Sequence, residues 1–292
     1  MSKLDISLVI KTFLRPQCLL NLLNSVREYQ SHWNICFDEL IVIDDSDDET
    51  KIENEKIIKQ FDDLNINYQS FDFNSVALSA GRNIALGLCK TKFFILCDDD
   101  FVFDCACDIK SNLDLLKEKN IDILCGHYRD ITSLDDESPC LYNWLGFITE
   151  NETFDLVNIF TDKFPDFCYC DIGENFYIGK TSAVKKVGYP EDLPMLEHNV
   201  FFLRAKQKGL RVAQSGNLWT KHFHLKSKSY SGFRNRNVVN PIKKNVVGYL
   251  FTGNTIIRFY DYLNVGSDKR YVLQAEKKRR SLIDRIFRRR KK

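Results

Sequence analysis

Apolar residues recur along the first hundred positions in two alternating patterns, short continuous runs and longer stretches with helical spacing. The continuous runs predict buried strands at 6–10, 40–43 and 92–97, and a further strand is predicted at 66–71. The helical stretches between them predict helices, at 17–29, 49–61 and 79–88. Pro16 suits the first turn of the first helix, and Ser79 is the predicted N-cap of the third. Strands and helices that alternate at this spacing predict an α/β fold with a mostly parallel sheet and flanking helices.

The pattern becomes irregular after residue 125, where aromatic segments alternate with polar ones. A helix is predicted at 196–208, since Gly209 is a typical stop signal, and a short strand at 210–213. A segment with two histidines follows at 219–224. We therefore expect one domain over residues 1–240, followed by a C-terminal extension over residues 241–292.

Acidic residues stand where two of the predicted strands end. Asp98, Asp99 and Asp100 follow one apolar run directly, and Asp44 follows another. Because ligands of parallel sheets bind at the carboxyl ends of the strands, the loops at Thr12, Asp44 and Asp98 are expected to share one edge. Neighbouring carboxylates repel each other, and a divalent cation between them and a phosphate relieves that repulsion. The triplet thus indicates a metal-assisted reaction on a nucleotide or phosphate, and a solvated acidic turn is the alternative.

The composition, with 44% hydrophobic and 28% charged residues, is typical of a globular protein. The longest apolar-leaning region, 245–265, is interrupted by Asn254, Arg258 and Asp261, so no membrane span is predicted. The N-terminus resembles no secretion signal, and we expect a cytoplasmic protein whose ten cysteines are reduced thiols. Two pairs of cysteines are one residue apart, Cys105/Cys107 and Cys168/Cys170, and this spacing does not match structural zinc ligands.

Charge is distributed unevenly along the chain. Residues 268–292 hold 12 Lys or Arg and 3 Asp or Glu, which makes +9, so the part before them carries −7 of the net +2. Within this tail an apolar helical face is formed by Leu282, Ile283, Ile286 and Phe287. A basic amphipathic helix of this kind predicts attachment to an anionic membrane surface, here the inner face of the cell membrane. Nucleic-acid binding, which we do not expect, and a disordered solubilising tail are the alternatives.

Five segments resemble, in the same order, the motifs of the inverting glycosyltransferases of family 2, which have the GT-A fold. They are the first strand and loop, the second strand end, the third helix, the acidic triplet as a DxD motif, and an acceptor-side helix, at 7–16, 41–46, 79–87, 98–100 and 187–206. The Glu197-His198 version of the last motif is most similar to the β-1,4-N-acetylgalactosaminyltransferase branch, whereas many members of the family carry Glu-Asp at these two positions. Ser46 stands where a glycine is typical.

The resemblance implies metal-dependent transfer of a sugar from a UDP-sugar to a hydroxyl of a glycan or lipid-linked glycan in cell-surface polysaccharide synthesis. It favours N-acetylgalactosamine as the sugar and leaves galactose, glucose and N-acetylglucosamine open. It implies that Asp100 and His222 bind Mn²⁺ or Mg²⁺, with His224 as the rival of His222. The residues implied to hold the nucleotide sugar are Thr12, Arg15, Asp44, Arg82, Asp98 and Asp99.

The same resemblance makes Glu197 the expected general base, with His198 as the other candidate. Glu197 can also be read as an acid that stabilises a helix N-terminus. Arg82 can be read as a structural partner of one aspartate. The candidates for the acceptor pocket are Trp144, Asn175 and Tyr177, although aromatic residues are more often core.

Two other functions stay open at this point. One is a phosphohydrolase with an aspartate nucleophile, but the acidic pair of such enzymes usually follows the first strand and not the fourth. The other is a nucleotide- or glycan-binding module without turnover.

Overall fold

The structure is a computed structural model of the chain, and it describes residues 1–131, 133–134, 140–142, 144–150, 154–160, 166–191, 197–223 and 257–263. The strands at 140–160 and 257–263 are described by their backbone alone.

Six helices and fifteen strands lie within the described residues. The helices are α1 Pro16–Trp33, α2 Asp48–Ile58, α3 Leu78–Leu88, α4 Ile109–Glu118, α5 Thr181–Val187 and α6 Glu197–Gln207. The strands are β1 Ser2–Lys3, β2 Ile6–Thr12, β3 Ile35–Cys36, β4 Glu39–Asp44, β5 Ile66–Ser70, β6 Phe93–Asp98, β7 Phe101–Val102, β8 Ile123–Ile131, β9 Cys140–Tyr142, β10 Trp144–Glu150, β11 Phe154–Phe160, β12 Phe167–Tyr169, β13 Tyr177–Lys180, β14 Val212–Phe223 and β15 Ile257–Leu263.

A ten-stranded sheet forms the centre of the molecule. Its main path runs β12-β14-β8-β13-β6-β2-β4-β5, with β7 paired to β14 and β9 paired to β8. The four strands β5, β4, β2 and β6 are parallel to one another, as the alternating pattern predicts. Strand β13 runs antiparallel between β6 and β8 and joins this parallel half to β8 and β14, which are parallel to each other. The α/β prediction is confirmed.

The two faces of the sheet bury different sets of side chains because successive residues of a strand point to opposite sides. Along β2, Ile6, Leu8 and Ile10 pack in one apolar cluster with residues of α1, α2 and α4. Val9 of the same strand packs in the other cluster, with residues of α3, α5 and α6. Helices therefore cover both faces, which leaves the strand ends and their loops as the place for polar chemistry.

A second, smaller sheet has the order β10-β11-β15. Strand β15 comes from the predicted C-terminal extension and pairs in parallel with β11, from Phe154 opposite Ile257 to Phe160 opposite Leu263. Backbone hydrogen bonds thus connect residues on the two sides of the boundary expected at 240. The basic tail at 268–292 lies outside the described residues.

The start of α3 differs from the sequence prediction. The N-cap is Ala77 and not Ser79, and no side chain caps this helix. The Ser79 hydroxyl lies inside the first turn, buried, with no hydrogen-bond partner among the described residues. The Asp45 carboxylate accepts a hydrogen bond from the Val76 amide at 2.8 Å. We infer that this contact fixes the chain one residue before the cap, so the helix starts earlier than its sequence signal suggests.

The sequence predicts reduced cysteines and no membrane span, and the described residues bear on both predictions. The nine cysteines whose side chains are described are all free thiols. In the described part of the chain, no helix is both long and apolar enough to cross a bilayer.

Candidate active site

The polar strand ends lie together at one edge of the parallel half-sheet. Thr12, Asp44 and Asp98 are the last residues of β2, β4 and β6. Thr12 lies opposite Asp44 in the register, and its neighbour Lys11 lies opposite Asp98. The prediction that these three loops share one edge is confirmed, and its reason is that parallel strands present their carboxyl ends on the same side.

The first carboxylate of the triplet is linked to α6 through Arg82. Asp98 accepts a hydrogen bond from Arg82 Nη2 at 2.7 Å and one from Asn175 Nδ2 at 3.0 Å. Arg82 is fully buried, and its Nη1 lies 3.3 Å from Glu197 Oε1. The ion pair expected as the structural alternative for Arg82 is therefore present, and it links β6 to the first turn of α6.

The other two carboxylates share one arginine. The Arg15 guanidinium donates through Nη2 to Asp99 and through Nη1 to Asp100, the latter at 2.5 Å. Asp99 is fully buried and also accepts a hydrogen bond from the Thr12 hydroxyl at 2.8 Å. Asp100 Oδ2 additionally lies 3.4 Å from His222 Nε2. Thus each carboxylate of the triplet faces an arginine, and these pairs reduce the repulsion that the sequence pattern implied.

The pKa values of Asp99 and Asp100 are shifted in opposite directions although the two residues are neighbours. Burial raises the pKa of Asp99, and the charge on Asp100 adds to this effect, while Arg15 opposes it. Burial would also raise the pKa of Asp100, but hydrogen bonds from His222 and Arg15 and their charges hold it well below its usual range. Asp100 is consequently the better candidate for a charged metal ligand.

His222 is oriented by an acid that the sequence did not indicate. Asp130 on β8 lies opposite His222 on β14 in the sheet register, and Asp130 Oδ1 is 2.8 Å from His222 Nδ1. Burial works against a charged imidazole, yet Asp100 and Asp130 outweigh it and raise the pKa of His222. Because Asp130 can keep the proton on Nδ1, the Nε2 proton that faces Asp100 is the one that a metal ion would displace, as in carboxylate–histidine–metal arrangements.

The residues present fit a divalent cation held partly by its substrate. Two ligands each about 2.1 Å from one ion and at right angles lie about 3 Å apart, close to the 3.4 Å between Asp100 and His222. Within the described residues, no group of three or more His, Cys, Asp or Glu side chains is arranged around a common point. Two protein ligands suit an ion that completes its coordination with phosphate oxygens and water.

Glu197 and His198 occupy different environments although they are neighbours. Glu197 begins α6, and its side chain is 14% exposed beside Arg82. His198 has Nε2 2.7 Å from the Gly173 carbonyl oxygen and Nδ1 3.1 Å from Asn175 Oδ1. Burial and the charge of Arg82 lower the pKa of His198 to about 4. A ring engaged with the protein on both nitrogens is less suited to accept a substrate proton than the partly exposed Glu197 carboxylate.

Asp44 is buried under the site and saturated by protein donors. Its carboxylate accepts hydrogen bonds from the Ser46 amide at 2.8 Å, Asn54 Nδ2 at 2.8 Å and the Tyr68 hydroxyl at 2.6 Å. These contacts give Asp44 a role in shaping the end of β4. We infer that any contact between this carboxylate and a base would replace one of them, because Asp44 has no exposed surface.

Two further features at this edge were not predicted. Phe13, directly after β2, stacks on Phe73 with ring centroids 5.8 Å apart, and Phe73 is 53% exposed. Below them, Lys11 Nζ forms a buried ion pair with Asp45 Oδ1 at 2.5 Å. A Cβ on Gly81 would lie 2.4 Å from Lys11 Cδ, so the glycine of α3 makes room for this lysine. The sequence signals were a lysine inside an apolar strand and a glycine inside a helix.

The expected acceptor residues lie in three different places. Tyr177 is fully buried, and its hydroxyl hydrogen-bonds with that of Tyr189, so it supports the site from the core and does not line a surface. Asn175 bridges Asp98 and His198. Trp144 lies on β10, but its side chain is outside the described residues, as is His224.

Arg82→Met should destabilise the fold. The change leaves Asp98 and Glu197 without their buried cation, and breaking a buried ion pair typically costs about 3 kcal/mol or more. The free energy of unfolding, measured by urea denaturation, should fall by about that amount. Arg82→Lys should lose less, because it keeps the charge but not the forked geometry. Unchanged stability of Arg82→Met would show that the two carboxylates do not depend on this arginine.

An α/β sheet with an acidic triplet at the carboxyl end of β6, linked through Arg82 to a further carboxylate on α6, fits the GT-A fold that the sequence motifs implied. The chain belongs to glycosyl transferase family 2, whose sequence profile matches residues 7–176. This stretch is more than half of the chain and holds the parallel half-sheet with the triplet.

Named relatives agree with this assignment. Mouse β-1,4 N-acetylgalactosaminyltransferase 2 is 27% identical over 205 residues, which are 68% of this chain and 35% of the relative. Mouse β-1,4 N-acetylgalactosaminyltransferase 1 is 28% identical over 212 residues, again 68% and 35%. The chain thus spans about a third of the length of these relatives.

Solved structures with the same fold are more distant in sequence. S. aureus TarS 1–349, in complex with UDP-GlcNAc, superposes with a TM-score of 0.54 at 18% identity, over 79% of this chain and 61% of that one. The mannosyltransferase PcManGT of Pyrobaculum calidifontis, in complex with GDP-Man and Mn²⁺, gives 0.54 at 12% identity, over 85% and 65%. At identities this low, the superpositions establish the shared fold alone.

Proposed function

We propose that the chain is an inverting, metal-dependent glycosyltransferase that uses a UDP-sugar. The observation that carries the proposal is the link through Arg82 between Asp98, 2.7 Å away, and Glu197, 3.3 Å away. This link holds the acidic triplet and a partly exposed carboxylate at one edge of the sheet. The reaction needs one acidic group that helps to activate the donor and another that takes the proton of the acceptor, both next to the same substrates.

The donor would bind at the ends of β2, β4 and β6. The stacked pair of half-buried Phe13 and exposed Phe73 offers an aromatic face for the base, and Arg15 offers a forked donor for the diphosphate. Asp100 and His222, the latter oriented by Asp130, would hold Mn²⁺ or Mg²⁺. When bound there, such an ion would neutralise charge that develops on the departing diphosphate.

The acceptor would approach from the side of α6. Glu197 would take the proton of the acceptor hydroxyl while that oxygen forms a bond to the anomeric carbon. The bond between the anomeric carbon and the phosphate oxygen breaks with its electron pair on UDP. One displacement inverts the configuration of the sugar. Arg82 would keep Glu197 oriented, and Asn175 would do the same for Asp98.

The favoured sugar is N-acetylgalactosamine, because the two mouse relatives are named as transferases of this sugar. In addition, one structural neighbour is in complex with UDP-GlcNAc, the nucleotide of another N-acetylhexosamine. The proposed acceptor is a glycan or lipid-linked glycan of the cell surface.

A donor screen by thermal shift with Mn²⁺ tests the proposal. UDP and the correct UDP-sugar should raise the unfolding midpoint of the full chain, since a ligand that binds only the folded state stabilises it. Mn²⁺-dependent release of UDP from UDP-GalNAc would support the transferase. Release of phosphate without a sugar donor would support a phosphohydrolase. Nucleotide binding without turnover on any acceptor would support a binding module.

The basic tail is proposed to place the enzyme peripherally on the cytoplasmic face of a membrane. Its support is the +9 charge of residues 268–292 and the spacing of Leu282, Ile283, Ile286 and Phe287, which predicts an apolar helical face. The full chain should float with anionic vesicles, whereas a chain cut after Asn264 should not.

A double variant of the full tail, Ile286→Gln with Phe287→Gln, is the matched control. It keeps all Lys and Arg residues, so loss of flotation in this variant would show that the apolar face contributes beyond charge. Equal flotation of the full and cut chains would end the membrane proposal.

A further inference from the structure

Arg15 occupies the position from which a cation would contact the triplet. Its Nη1 donates to Asp100 Oδ2 at 2.5 Å, and the same Oδ2 atom faces His222 Nε2 at 3.4 Å. The oxygen best placed to bind a metal together with His222 is therefore already paired with a permanent positive charge. A divalent cation and a guanidinium on one carboxylate oxygen repel each other, and little water reaches the group, since the Asp100 side chain is 13% exposed.

The two ends of this guanidinium differ in how firmly they are held. Nη2 pairs with Asp99, which is fully buried and fixed a second time by the Thr12 hydroxyl. Nη1 pairs with Asp100, whose side chain is partly exposed and has His222 as another partner. The Asp99 end is consequently an anchor, and the Asp100 end can be exchanged.

The loop that carries Arg15 is built to present it to the triplet. Leu14 has a positive φ of 55°, in the left-handed region that a leucine adopts only at a cost in energy. The Leu14 amide donates to the Ser46 hydroxyl at 2.9 Å, which ties the loop to the end of β4. Arg15 itself is the N-cap residue of α1 and precedes Pro16. Its position is thus set by backbone contacts and not by the carboxylates alone.

We propose that Arg15 is an exchangeable stand-in for the metal: it neutralises Asp100 in the ligand-free enzyme and moves to the diphosphate when metal and donor bind. This inference rests on the proposed function, because it assigns Arg15 a second partner in the bound donor. It follows that Arg15 weakens metal binding in the absence of nucleotide and strengthens binding of the nucleotide. Metal and donor are thereby coupled, so each binds better when the other is present.

The test measures Mn²⁺ binding to the full chain by the free-ion electron paramagnetic resonance signal, without nucleotide and with UDP. Arg15→Gln should bind Mn²⁺ alone about fivefold or more tightly than wild type, within the usual range of coupling between sites. The same variant should bind UDP alone about tenfold more weakly, since it loses a charge-assisted hydrogen bond. If Arg15 were purely structural, its replacement would not strengthen Mn²⁺ binding and weaken UDP binding at the same time.

Lys221→Gln is the matched control. Lys221 neighbours His222 on β14 and pairs with Asp104 at 3.0 Å, so the change removes one positive charge near the site without touching the triplet. It should alter Mn²⁺ affinity less than twofold. Arg15→Lys provides a second variant in case Arg15→Gln folds poorly, because it keeps the charge but lacks the planar fork with which the guanidinium spans Asp99 and Asp100. Its affinity for Mn²⁺ alone should lie between those of wild type and Arg15→Gln.

Failures of the two ideas are distinguishable. A wild-type chain that binds neither Mn²⁺ nor UDP overturns the proposed function and this inference together. A wild-type chain that binds both, with Arg15→Gln and Arg15→Lys at unchanged or lower affinity for Mn²⁺ alone, overturns this inference and leaves the proposed function standing. An increase in Lys221→Gln as large as that in Arg15→Gln would also overturn it, since the effect would then be one of net charge.

Discussion

Asp100→Ala should reduce Mn²⁺-dependent release of UDP from the sugar donor by roughly a thousandfold. The change removes the carboxylate that faces His222 Nε2, and a bound metal typically contributes several kcal/mol to stabilising a charged leaving group. The measurement is the initial rate of UDP release at saturating Mn²⁺. The stabilisation of the fold by UDP with Mn²⁺ should shrink in parallel in a thermal shift assay.

Asp48→Ala is a suitable control for this variant. Asp48 is the first residue of α2, in the other acidic stretch after β4, and its side chain is 95% exposed. Its removal changes the charge near the same edge of the sheet by the same amount, and activity should stay within a factor of two. A full UDP-induced shift in Asp100→Ala would contradict the metal assignment.

Glu197→Gln should lower the rate of sugar transfer by about 10²- to 10⁴-fold while leaving the affinity for UDP nearly unchanged. The amide keeps the size of the side chain and can still contact Arg82, but it cannot take a proton from the acceptor. The measurement compares kcat for transfer with the Kd for UDP in the presence of Mn²⁺. A selective loss in kcat separates a base from a residue that only supports the donor site.

Glu191→Gln serves as the comparison for this second variant. Glu191 is an exposed acid that comes shortly before α6 in the sequence and accepts a hydrogen bond from Asn83 at 2.7 Å. Its replacement should leave transfer within a factor of two. Full transfer by Glu197→Gln, together with loss of transfer in His198→Gln, would move the proton acceptor to His198.

Local patterns were enough to predict the parallel half of the sheet. The strands that became β2, β4, β5 and β6 could be placed because hydrophobic periodicity and chain length are properties of a few successive residues. Once those strands are parallel, their carboxyl ends must lie on one side, which brings Thr12, Asp44 and Asp98 to the same edge. The start of α3 could not be predicted in this way, because Asp45, from a different loop, binds the Val76 amide just before the helix.

The sequence by itself therefore determined the class of fold, the position of the acidic triplet and the family motifs, since all of these are written in contiguous residues. Only the tertiary structure decided which charges meet. Arg15 and Asp100 are 85 residues apart, Asp130 and His222 are 92 apart, and Arg82 and Glu197 are 115 apart. Such pairs depend on strand register and helix placement, so they cannot be predicted from the spacing of residues within one segment. The structure thereby showed that arginines neutralise the triplet and that Asp130 orients His222.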